Sequence, residues 1–287
     1  MNKEIKGDWK VGLVEHWRYY LPPVRPCPSD LEFIKKKILE KIEEYNGDKS
    51  KIKLLILGST SEYRNLCGEL GIKCYCFDFS KPNFDYLAEE VKNKSKEVCI
   101  EGNWLDGIPK SLKKIKENEK FDFILGDCVF NITIIKNHKK LVNTIFKLLK
   151  KEGSLIPRTF FKEKKEKITY EEMIEKYRKQ GSKKPIFTWL AKDLYLGAFK
   201  EGQEFILVKQ IWENLVKLHE KELISDDELE ELSKLSFEDR DFEFCIPVKD
   251  EFDAFFKEKF IIKEVFLTPE QYCCNKLCLH VLKKRIK

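Results

Sequence analysis

Short apolar runs alternate with amphipathic segments from Lys51 to about Phe161. The apolar runs have the length and the flanking glycines of buried strands, and the segments between them have apolar residues at helical spacing. Strands are predicted for KIKLLILG at 51–58, KCYCFDF at 73–79, EVCIEGNW at 97–104, FDFILGDCVF at 121–130 and SLIPRTFF at 154–161. This alternation predicts right-handed crossovers and a parallel sheet that helices cover on both faces.

The segments between these strands carry start and stop signals of helices. Gly71 and Gly153 are expected to end two of the helices, and Lys81-Pro82 to open another. Helices are predicted for SEYRNLCGELG at 61–71, NFDYLAEEVKNK at 83–94, PKSLKKIKENEK at 109–120 and NHKKLVNTIFKLLKKEG at 137–153.

The pattern becomes helical after Lys162 and returns to strands near the C-terminus. Ser225 carries a capping signal, because an acidic residue follows three positions later. Helices are predicted for TYEEMIEKYRKQ at 169–180, PIFTWLAKDLYLGAF at 185–199, GQEFILVKQIWENLVKLHEKEL at 202–223, SDDELEELSKL at 225–235 and VKDEFDAFFKEK at 248–259. FIIKEVFLT at 260–268 and KLCLHVLKKR at 276–285 then predict an antiparallel hairpin at the edge of the sheet.

The sequence therefore predicts an α/β fold with a Rossmann-like, mostly parallel sheet of seven strands and an antiparallel terminal strand. We expect N-terminal helices in a lead-in at 1–50, a core at 51–162 and 246–287, and a helical insertion at 163–245 as a candidate lid. A separate helical domain is the alternative to an insertion. The favoured alternative to a lid is that the aromatic residues of 163–245 are simply the core of the insertion.

The lead-in is expected to contain two helices. LVEHWRYYL at 13–21 predicts the first, and the breaker PPVRPCPSD follows it. Ser29 or Asp30 is expected to cap the second helix, which NGD at 46–48 ends.

Composition adds weak constraints on function. The chain has 287 residues, of which 36% are charged, mostly interspersed Lys and Glu, and a net charge of +6. This charge suits an anionic substrate, but a nucleic-acid partner is not favoured because the basic residues are not clustered on one face. The sequence contains neither a signal-peptide core nor an apolar run of membrane-spanning length, so we expect a cytoplasmic protein without membrane contact.

The ten cysteines are expected to be reduced thiols. Many lie inside apolar runs, where a thiol packs like a small hydrophobic side chain. Disulfides are not expected in a chain of this length without a secretion signal. Cys273, Cys274, Cys278 and His280 come nearest to a metal cluster, but their spacing fits no common zinc site, so we expect no bound metal.

The turn after the first predicted strand is a candidate binding site. Gly58 ends the strand, and Ser59, Thr60 and Ser61 follow at the start of a helix. A glycine permits a sharp turn and a close approach to a ligand, and the free N–H groups of a helix N-terminus favour an anionic group. In open parallel sheets, ligands bind beyond the carboxyl ends of the strands, where the strand order reverses.

Asp78 ends the second predicted strand, where a carboxylate can accept hydrogen bonds from both hydroxyls of a ribose. The alternative role of Asp78 is a cap for the next helix. GSTSEY at 58–63 lacks the second and third glycines of a dinucleotide loop, and the phosphate-binding motif GxxxxGK[ST] is absent. A ligand that has a nucleoside but no phosphate tolerates this loss, and S-adenosylmethionine is such a ligand.

These motifs resemble those of the class I S-adenosylmethionine-dependent methyltransferases. The resemblance covers Lys51 to about Phe161 and the 260–284 hairpin. GSTSEYR at 58–64 is similar to a Gly-x-Thr-x-Glu-x-Arg turn that a divergent branch of this superfamily has in place of the glycine-rich loop. GNW at 102–104 and GDC at 126–128 stand where the branch has Gly-Asp-Trp and Gly-Asp, and WRYYLPPVRPCPS at 17–29 resembles its lead-in.

The resemblance implies S-adenosylmethionine as the cofactor and gives roles to individual residues. Asp78 would hold the ribose, with Phe79 stacking near the adenine. Asn103 would hydrogen-bond the adenine amine, and Trp104 would cover the ring, although a core position is the alternative for Trp104. The residues expected to bind the cofactor are Arg25, Gly58, Ser59, Thr60, Arg64, Asp78, Phe79, Asn103, Trp104, Gly126 and Asp127.

Other residues are assigned to the methionine end of the cofactor. Gly58, Ser59 and Thr60 would line the methionine moiety. Arg64 would pair with the ligand's carboxylate or brace Glu62, with a surface charge on the helix as the alternative. Arg25 would clamp the same carboxylate, with a solvent-facing turn position as the alternative.

The resemblance also places Gly126 and Asp127 beside the sulfonium. Asp127 is the first candidate for a catalytic base, although a hydrogen bond to the ligand's amino group is the favoured role. His16 is a second candidate base. The protein would act mainly by aligning the methyl group with its acceptor.

The predicted function is methyl transfer to an unidentified acceptor, either a small molecule or a protein side chain. The fourth strand is not followed by an Asp/Asn-Pro-Pro-aromatic run, which argues against methylation of base amino groups in nucleic acids. One alternative is an RNA methyltransferase, suggested by KNHKK at 136–140, KLLKK at 147–151 and the net charge. The other is a non-catalytic binding or scaffold protein with the same fold.

Overall fold

The computed structural model describes residues 17–22, 24–94, 96–112, 116–162, 169–179, 194, 197–198, 203–235, 243–270 and 277–285. In these ranges, seven strands form the main sheet, in the order β3-β2-β1-β4-β5-β9-β8. They are β1 (Leu54–Leu57), β2 (Cys74–Asp78), β3 (Glu97–Glu101), β4 (Phe121–Asp127), β5 (Leu149–Phe160), β8 (Phe260–Leu267) and β9 (Leu277–Lys284). A separate pair consists of β6 (Ile206–Leu207) and β7 (Glu243–Phe244).

The direction of the strands confirms the predicted fold class. The pairs formed by β1, β2, β3, β4 and β5 are all parallel. The terminal strand β9 is antiparallel to both of its neighbours, β5 and β8, so that β8 lies at the edge of the sheet. The molecule therefore has a Rossmann-like, mostly parallel sheet of seven strands with the predicted C-terminal hairpin.

Helices flank this sheet in the described parts of the chain. They are α1 (Pro28–Glu44), α2 (Ser61–Leu70), α3 (Lys81–Leu87), α4 (Ile135–Leu148), α5 (Tyr170–Lys179), α6 (Lys209–Glu220), α7 (Asp226–Ser233) and α8 (Lys249–Lys257). None of these helices combines the length and the apolar character that crossing a membrane requires.

The two faces of the sheet have separate apolar cores, because successive side chains of a strand point to opposite sides. Leu55 and Leu57 of β1 pack in a cluster with residues of α4 and α8, such as Ile145 and Phe256. Leu54 and Ile56 pack on the other face, in a cluster with residues of α1 and α2. β1 is therefore buried on both sides, as expected for the centre of a parallel sheet.

A third apolar cluster belongs to the helical insertion and reaches the lead-in. It contains residues of α5, α6 and α7 together with Tyr20 of the lead-in and Phe160 at the end of β5. The Tyr20 hydroxyl also donates to the Leu235 carbonyl oxygen at 2.8 Å. The insertion thus packs beside the carboxyl end of β5, where a lid is expected, and its role as a lid stays a prediction.

Several predicted helix boundaries are confirmed. Gly71 ends α2 in the left-handed conformation, with a φ of +66°. Ser80 and Pro82 start α3, and the Ser225 hydroxyl and the Glu228 carboxylate form a capping box at the start of α7. The cap predicted for α1, Ser29 or Asp30, is wrong by two or three residues, because the helix starts at Pro28 with Cys27 as its N-cap.

Four predicted helices differ from the structure. The helix predicted at 83–94 ends at Leu87, and a 3-10 turn, Ala88–Glu90, follows it. The described part of 109–120 forms short 3-10 turns at Lys110–Leu112 and Glu117–Glu119, since the segment has few apolar residues to bury. The helix predicted to end at Gly153 ends at Leu148, and Leu149 pairs with Phe121 instead.

The fourth difference lies in the insertion. The segment predicted as one helix from 202 starts with strand β6, and α6 begins only at Lys209. The helix predicted at 185–199 lies outside the described residues except for 194 and 197–198, and most of the lead-in helix predicted at 13–21 also lies outside them.

The eight described cysteines are free thiols, and most of them are buried. Cys273 and Cys274 lie outside the described residues. Among the residues that are described, no group of three His, Cys, Asp or Glu side chains is arranged to hold a metal ion.

Candidate functional site

The turn after β1 lies where the order of the strands reverses. The chain proceeds from β1 to β2 and β3 on one side, and β4 and β5 lie on the other side. Gly58 has a φ of +90°, a conformation that favours glycine, and its N–H donates to the Phe77 carbonyl oxygen at 2.9 Å. A side chain at Gly58 would have room, because the nearest atom to a Cβ there is a Trp104 ring carbon at 3.8 Å. The backbone conformation is therefore the reason for this glycine.

Asp78 and Ser59 face each other at the ends of β2 and β1. The Ser59 hydroxyl donates to Asp78 Oδ2 at 2.6 Å, and the Ser80 N–H donates to Oδ1 at 3.0 Å. Burial raises the pKa of the Asp78 carboxyl, and these hydrogen bonds act in the opposite direction. The side chain that caps α3 is Ser80, so the alternative role of Asp78 as a helix cap is wrong. The structure brings Gly58, Ser59 and Asp78 together, as the sequence predicts.

Arg25 lies against the first turn of α2. Its guanidinium forms ion pairs with Glu62 and with Glu90, the second at 2.6 Å, and donates to the Ser61 hydroxyl at 3.1 Å. The Arg25 side chain is only 17% exposed, so the alternative of a solvent-facing turn residue is wrong. Burial raises the pKa of the Glu62 carboxyl, and the charge of Arg25 acts against this rise. The lead-in thus contacts the first turn of α2, which follows the Gly58 turn.

The residues expected at the adenine lie near the ends of β2 and β3. Phe79 is 41% exposed and so has a ring surface open for stacking. The Trp104 indole N–H donates to the Phe77 carbonyl oxygen at 2.6 Å, and its half-buried ring packs against the apolar core. Asn103 caps the 3-10 turn Trp104–Asp106 through its Oδ1, which accepts from the Leu105 N–H at 2.8 Å. Phe79 is thus the exposed aromatic surface of this group.

Arg64 does not lie where the sequence places it. Its side chain is fully buried and donates to both carboxylate oxygens of Glu97, at 3.0 and 2.6 Å, and to the Phe84 carbonyl oxygen at 2.9 Å. The expectation that it braces Glu62 is wrong, and so is the alternative of a surface charge. The bidentate pair joins α2 to β3, and this contact encloses the guanidinium in protein.

Asp127 ends β4 and is paired with an arginine. Its Oδ1 accepts from Arg158 Nη1 at 2.8 Å, and the Cys128 thiol lies 3.5 Å from the same oxygen. Burial raises the pKa of the Asp127 carboxyl, and the charge of Arg158 lowers it. Gly126 is required by packing, because a Cβ there would lie 2.7 Å from Val129 Cγ2. Arg158 thus holds the Asp127 carboxylate in place at the end of β4.

Sequence reasoning missed Arg158, the centre of a buried ionic network. This residue lies near the end of β5 and binds Asp30 Oδ2 at 2.8 Å as well as Asp127. It also donates to the carbonyl oxygens of Arg25 and Val24, at 2.9 and 3.3 Å. The only signal in the sequence is an arginine within the apolar run SLIPRTFF, because a charge in a strand buried on both faces requires a partner.

The remaining candidate base is not described by the structure. His16 lies outside the described residues. His138 and His280 are buried, and burial lowers the pKa of both. His138 bonds backbone carbonyl oxygens of Phe130 and Thr133, so its role is structural.

Comparisons with known proteins give a fold and no family. No protein-family model matches the chain, and no curated protein matches it significantly. A solved structure from Rhodobacter sphaeroides, provisionally assigned as a Zn-dependent alcohol dehydrogenase, is 15% identical over 95% of this chain and 98% of that chain, with a TM-score of 0.57. At this identity the likeness shows the fold alone.

Similar structures also include S-adenosylmethionine-dependent methyltransferases. The N-methyltransferase NodS from Bradyrhizobium japonicum, solved with S-adenosylhomocysteine, is 9% identical over 93% of this chain and 91% of that chain, with a TM-score of 0.46. The glycopeptide N-methyltransferase MtfA, solved with S-adenosylmethionine, is 9% identical over 86% of each chain, with a TM-score of 0.47. Scores below 0.5 carry no conclusion about the activity of this chain.

Proposed function

We propose that this protein is an S-adenosylmethionine-dependent methyltransferase whose acceptor is a small molecule or a protein side chain. The observation that carries this proposal is the Ser59–Asp78 contact beside the Gly58 turn. It places a buried carboxylate at the end of β2, next to the position where the strand order reverses, which is the usual place of a ribose in this fold. The Gly58 turn lacks the further glycines that a pyrophosphate needs.

The residues present fit a nucleoside with an amino-acid tail. Asp78 would accept hydrogen bonds from the ribose hydroxyls, and the exposed face of Phe79 would stack on the adenine. Asn103 and Trp104 would contact the far edge of the base. Gly58, Ser59 and Thr60 would line the tail through the turn and the N-terminus of α2. Arg25 would contact the tail carboxylate by leaving Glu62 or Glu90.

The chemistry at the methyl group requires little from the chain. S-adenosylmethionine, when bound, supplies an electrophilic methyl group. The residues of this chain would orient the ligand and exclude water, which are the main contributions of a protein to such a displacement. Asp127 would accept a hydrogen bond from the ligand's amino group, because Arg158 orients its carboxylate at 2.8 Å.

The helical insertion supports an acceptor pocket at the same end of the sheet. Trp17, Ile132 and Trp212 are half-buried and pack against its apolar cluster. Cys128, which follows Asp127, packs against the same cluster. An apolar chamber that closes over the methyl group would serve a small or side-chain acceptor better than a long RNA. Strong salt dependence of RNA binding would favour the RNA alternative instead.

Isothermal titration calorimetry tests the proposal. The folded wild-type protein is expected to bind S-adenosylmethionine and S-adenosylhomocysteine but not NAD, because the Gly58 turn lacks the glycines of a dinucleotide site. If NAD binds in preference, the ribose site belongs to a dehydrogenase. If neither adenosyl ligand binds to the folded protein, the non-catalytic alternative replaces the proposal.

A further inference from the structure

Arg158 links parts of the chain that are far apart in sequence but meet at the candidate site. Its guanidinium binds Asp127 at the end of β4 and Asp30 in the first turn of α1, each at 2.8 Å. It also holds the backbone of the lead-in through the carbonyl oxygens of Val24 and Arg25. The Arg25 side chain then reaches Glu62 in the first turn of α2. One buried arginine therefore fixes both the β4 end and the lead-in.

Of Arg158 and the two acids that it binds, Asp127 alone retains exposed surface. Arg158 and Asp30 have no exposed surface, whereas the Asp127 side chain is 5% exposed. Asp30 is enclosed by the Thr268 hydroxyl and the Cys27 N–H, which donate to its oxygens at 2.6 and 2.9 Å. Asp127 is thus the member of the network that a ligand could reach.

The charges of the network favour a cationic partner at Asp127. Two carboxylates share one guanidinium, so the group has one negative charge in excess if both acids are ionised. An uncompensated charge in a buried site is unfavourable, and a cation beside it removes part of that cost. The α-ammonium group of S-adenosylmethionine has the required charge and hydrogen-bond donors.

We propose that Arg158 is a positioning residue, which holds the Asp127 carboxylate so that it accepts the α-ammonium group of the ligand. This inference rests on the function proposed above. Arg158 itself does not contact the ligand and acts through Asp127. It therefore sets the affinity for the amino-acid tail of the ligand and leaves the affinity for the nucleoside unchanged.

Two ligands separate this role from a merely structural one. S-adenosylmethionine has the amino-acid tail, and 5′-methylthioadenosine has the same nucleoside without it. Arg158→Lys retains the positive charge but cannot donate at once to two carboxylates and two carbonyl oxygens. We expect this variant to bind S-adenosylmethionine at least about tenfold more weakly and methylthioadenosine within about twofold of the wild type.

Asp127→Asn provides the matched comparison, because it removes the charge and keeps the shape of the side chain. It is expected to give the same pattern with the two ligands. Because Arg158 acts through Asp127, the double variant Arg158→Lys/Asp127→Asn should bind S-adenosylmethionine no more than about twofold more weakly than Asp127→Asn alone. Circular dichroism checks that each variant is folded, and Asp30→Asn/Arg158→Met, which retains only one buried acid, replaces Arg158→Lys if that variant unfolds.

The outcomes distinguish the inference from the function on which it rests. Selective loss of S-adenosylmethionine affinity with a non-additive double variant supports the positioning role. Equal weakening of both ligands, or unchanged affinity for both, overturns it while the methyltransferase proposal stands. A folded wild-type protein that binds neither ligand overturns both.

Discussion

The Ser59 hydroxyl donates a hydrogen bond of 2.6 Å to Asp78 Oδ2 and so joins the turn after β1 to the end of β2. The Ser80 N–H fixes the other oxygen of the same carboxylate at 3.0 Å. With both oxygens oriented by the protein, Asp78 needs no rearrangement to meet a pair of vicinal hydroxyls. Such preorganisation raises affinity, because the ligand does not have to order the side chain on binding.

Removal of the Asp78 carboxylate tests its assignment to the ribose. Asp78→Ala is expected to weaken S-adenosylmethionine binding at least about tenfold, roughly 1.4 kcal/mol, as is usual for the loss of a charged hydrogen bond. Ser59→Ala should weaken it less, since the Ser80 N–H still holds the carboxylate. Calorimetry gives both affinities. Asp85→Ala is the matched control, because Asp85 lies on α3 and pairs only with exposed Lys81. Unchanged affinity in Asp78→Ala would reject the ribose assignment.

Two glycines with nearly the same positive φ distinguish a loss of stability from a loss of ligand binding. Gly58 and Gly107 have φ values of +90° and +89°, and a Cβ at either position meets no close atom. Alanine at each position should therefore lower the free energy of unfolding, by about 1–2 kcal/mol, as measured by urea denaturation. Gly58→Ala alone should also weaken S-adenosylmethionine binding, since only Gly58 lies in the proposed turn. Equal affinities in the two variants would place the ligand elsewhere.

The fold follows from the sequence because it depends on hydrophobic periodicity over long stretches. The runs that became β1 and β2 end at Gly58 and Asp78, and local signals such as Gly71 and Ser225 fix helix ends without help from distant residues. The Gly58–Ser59–Asp78 group could be predicted for a related reason, since the carboxyl ends of adjacent parallel strands necessarily meet.

The contacts of the long charged side chains did not follow from the sequence. Arg64 reaches Glu97 on β3, and Arg158 reaches Asp30 in α1, which are partners 33 and 128 positions away. Periodicity predicts the elements that carry these arginines but not which acid each side chain meets. The predicted end of α4 at Gly153 is wrong for a similar reason. Leu149 pairs with Phe121 of β4, and this contact depends on the sheet and not on the local sequence.

The Arg64–Glu97 pair is expected to stabilise the fold without setting ligand affinity. Arg64→Met leaves Glu97 without its cation. It should lower the free energy of unfolding by roughly 2–4 kcal/mol, because the Arg64 side chain is fully buried. Arg64→Met/Glu97→Leu should recover a large part of this loss, since an apolar pair needs no solvation. Urea denaturation measures both. S-adenosylmethionine affinity of the folded variants should stay within about threefold of the wild type. A tenfold loss of S-adenosylmethionine affinity would indicate that Arg64 contacts the ligand.

The burial of His280 predicts that the protein loses stability in mild acid. It lies fully buried on β9, and its Nε2 is 3.0 Å from Asp253 Oδ1, while Nδ1 has no hydrogen-bond partner among the described residues. Burial, assisted by the charge of Lys249 and opposed by that of Asp253, lowers the pKa of His280 to about 4. The unfolded chain binds this proton below a pH of about 6.5, so the contribution of neutral His280 to stability is complete above that pH and is lost as the pH falls toward 4. Between pH 7 and pH 5 we expect the free energy of unfolding to fall by on the order of 2 kcal/mol through this residue.

His280→Gln removes the ionisation and keeps a donor for Asp253, so its urea-denaturation midpoint should depend less on pH over this range. If the wild type and the variant lose stability equally between these pH values, His280 is not the group that titrates.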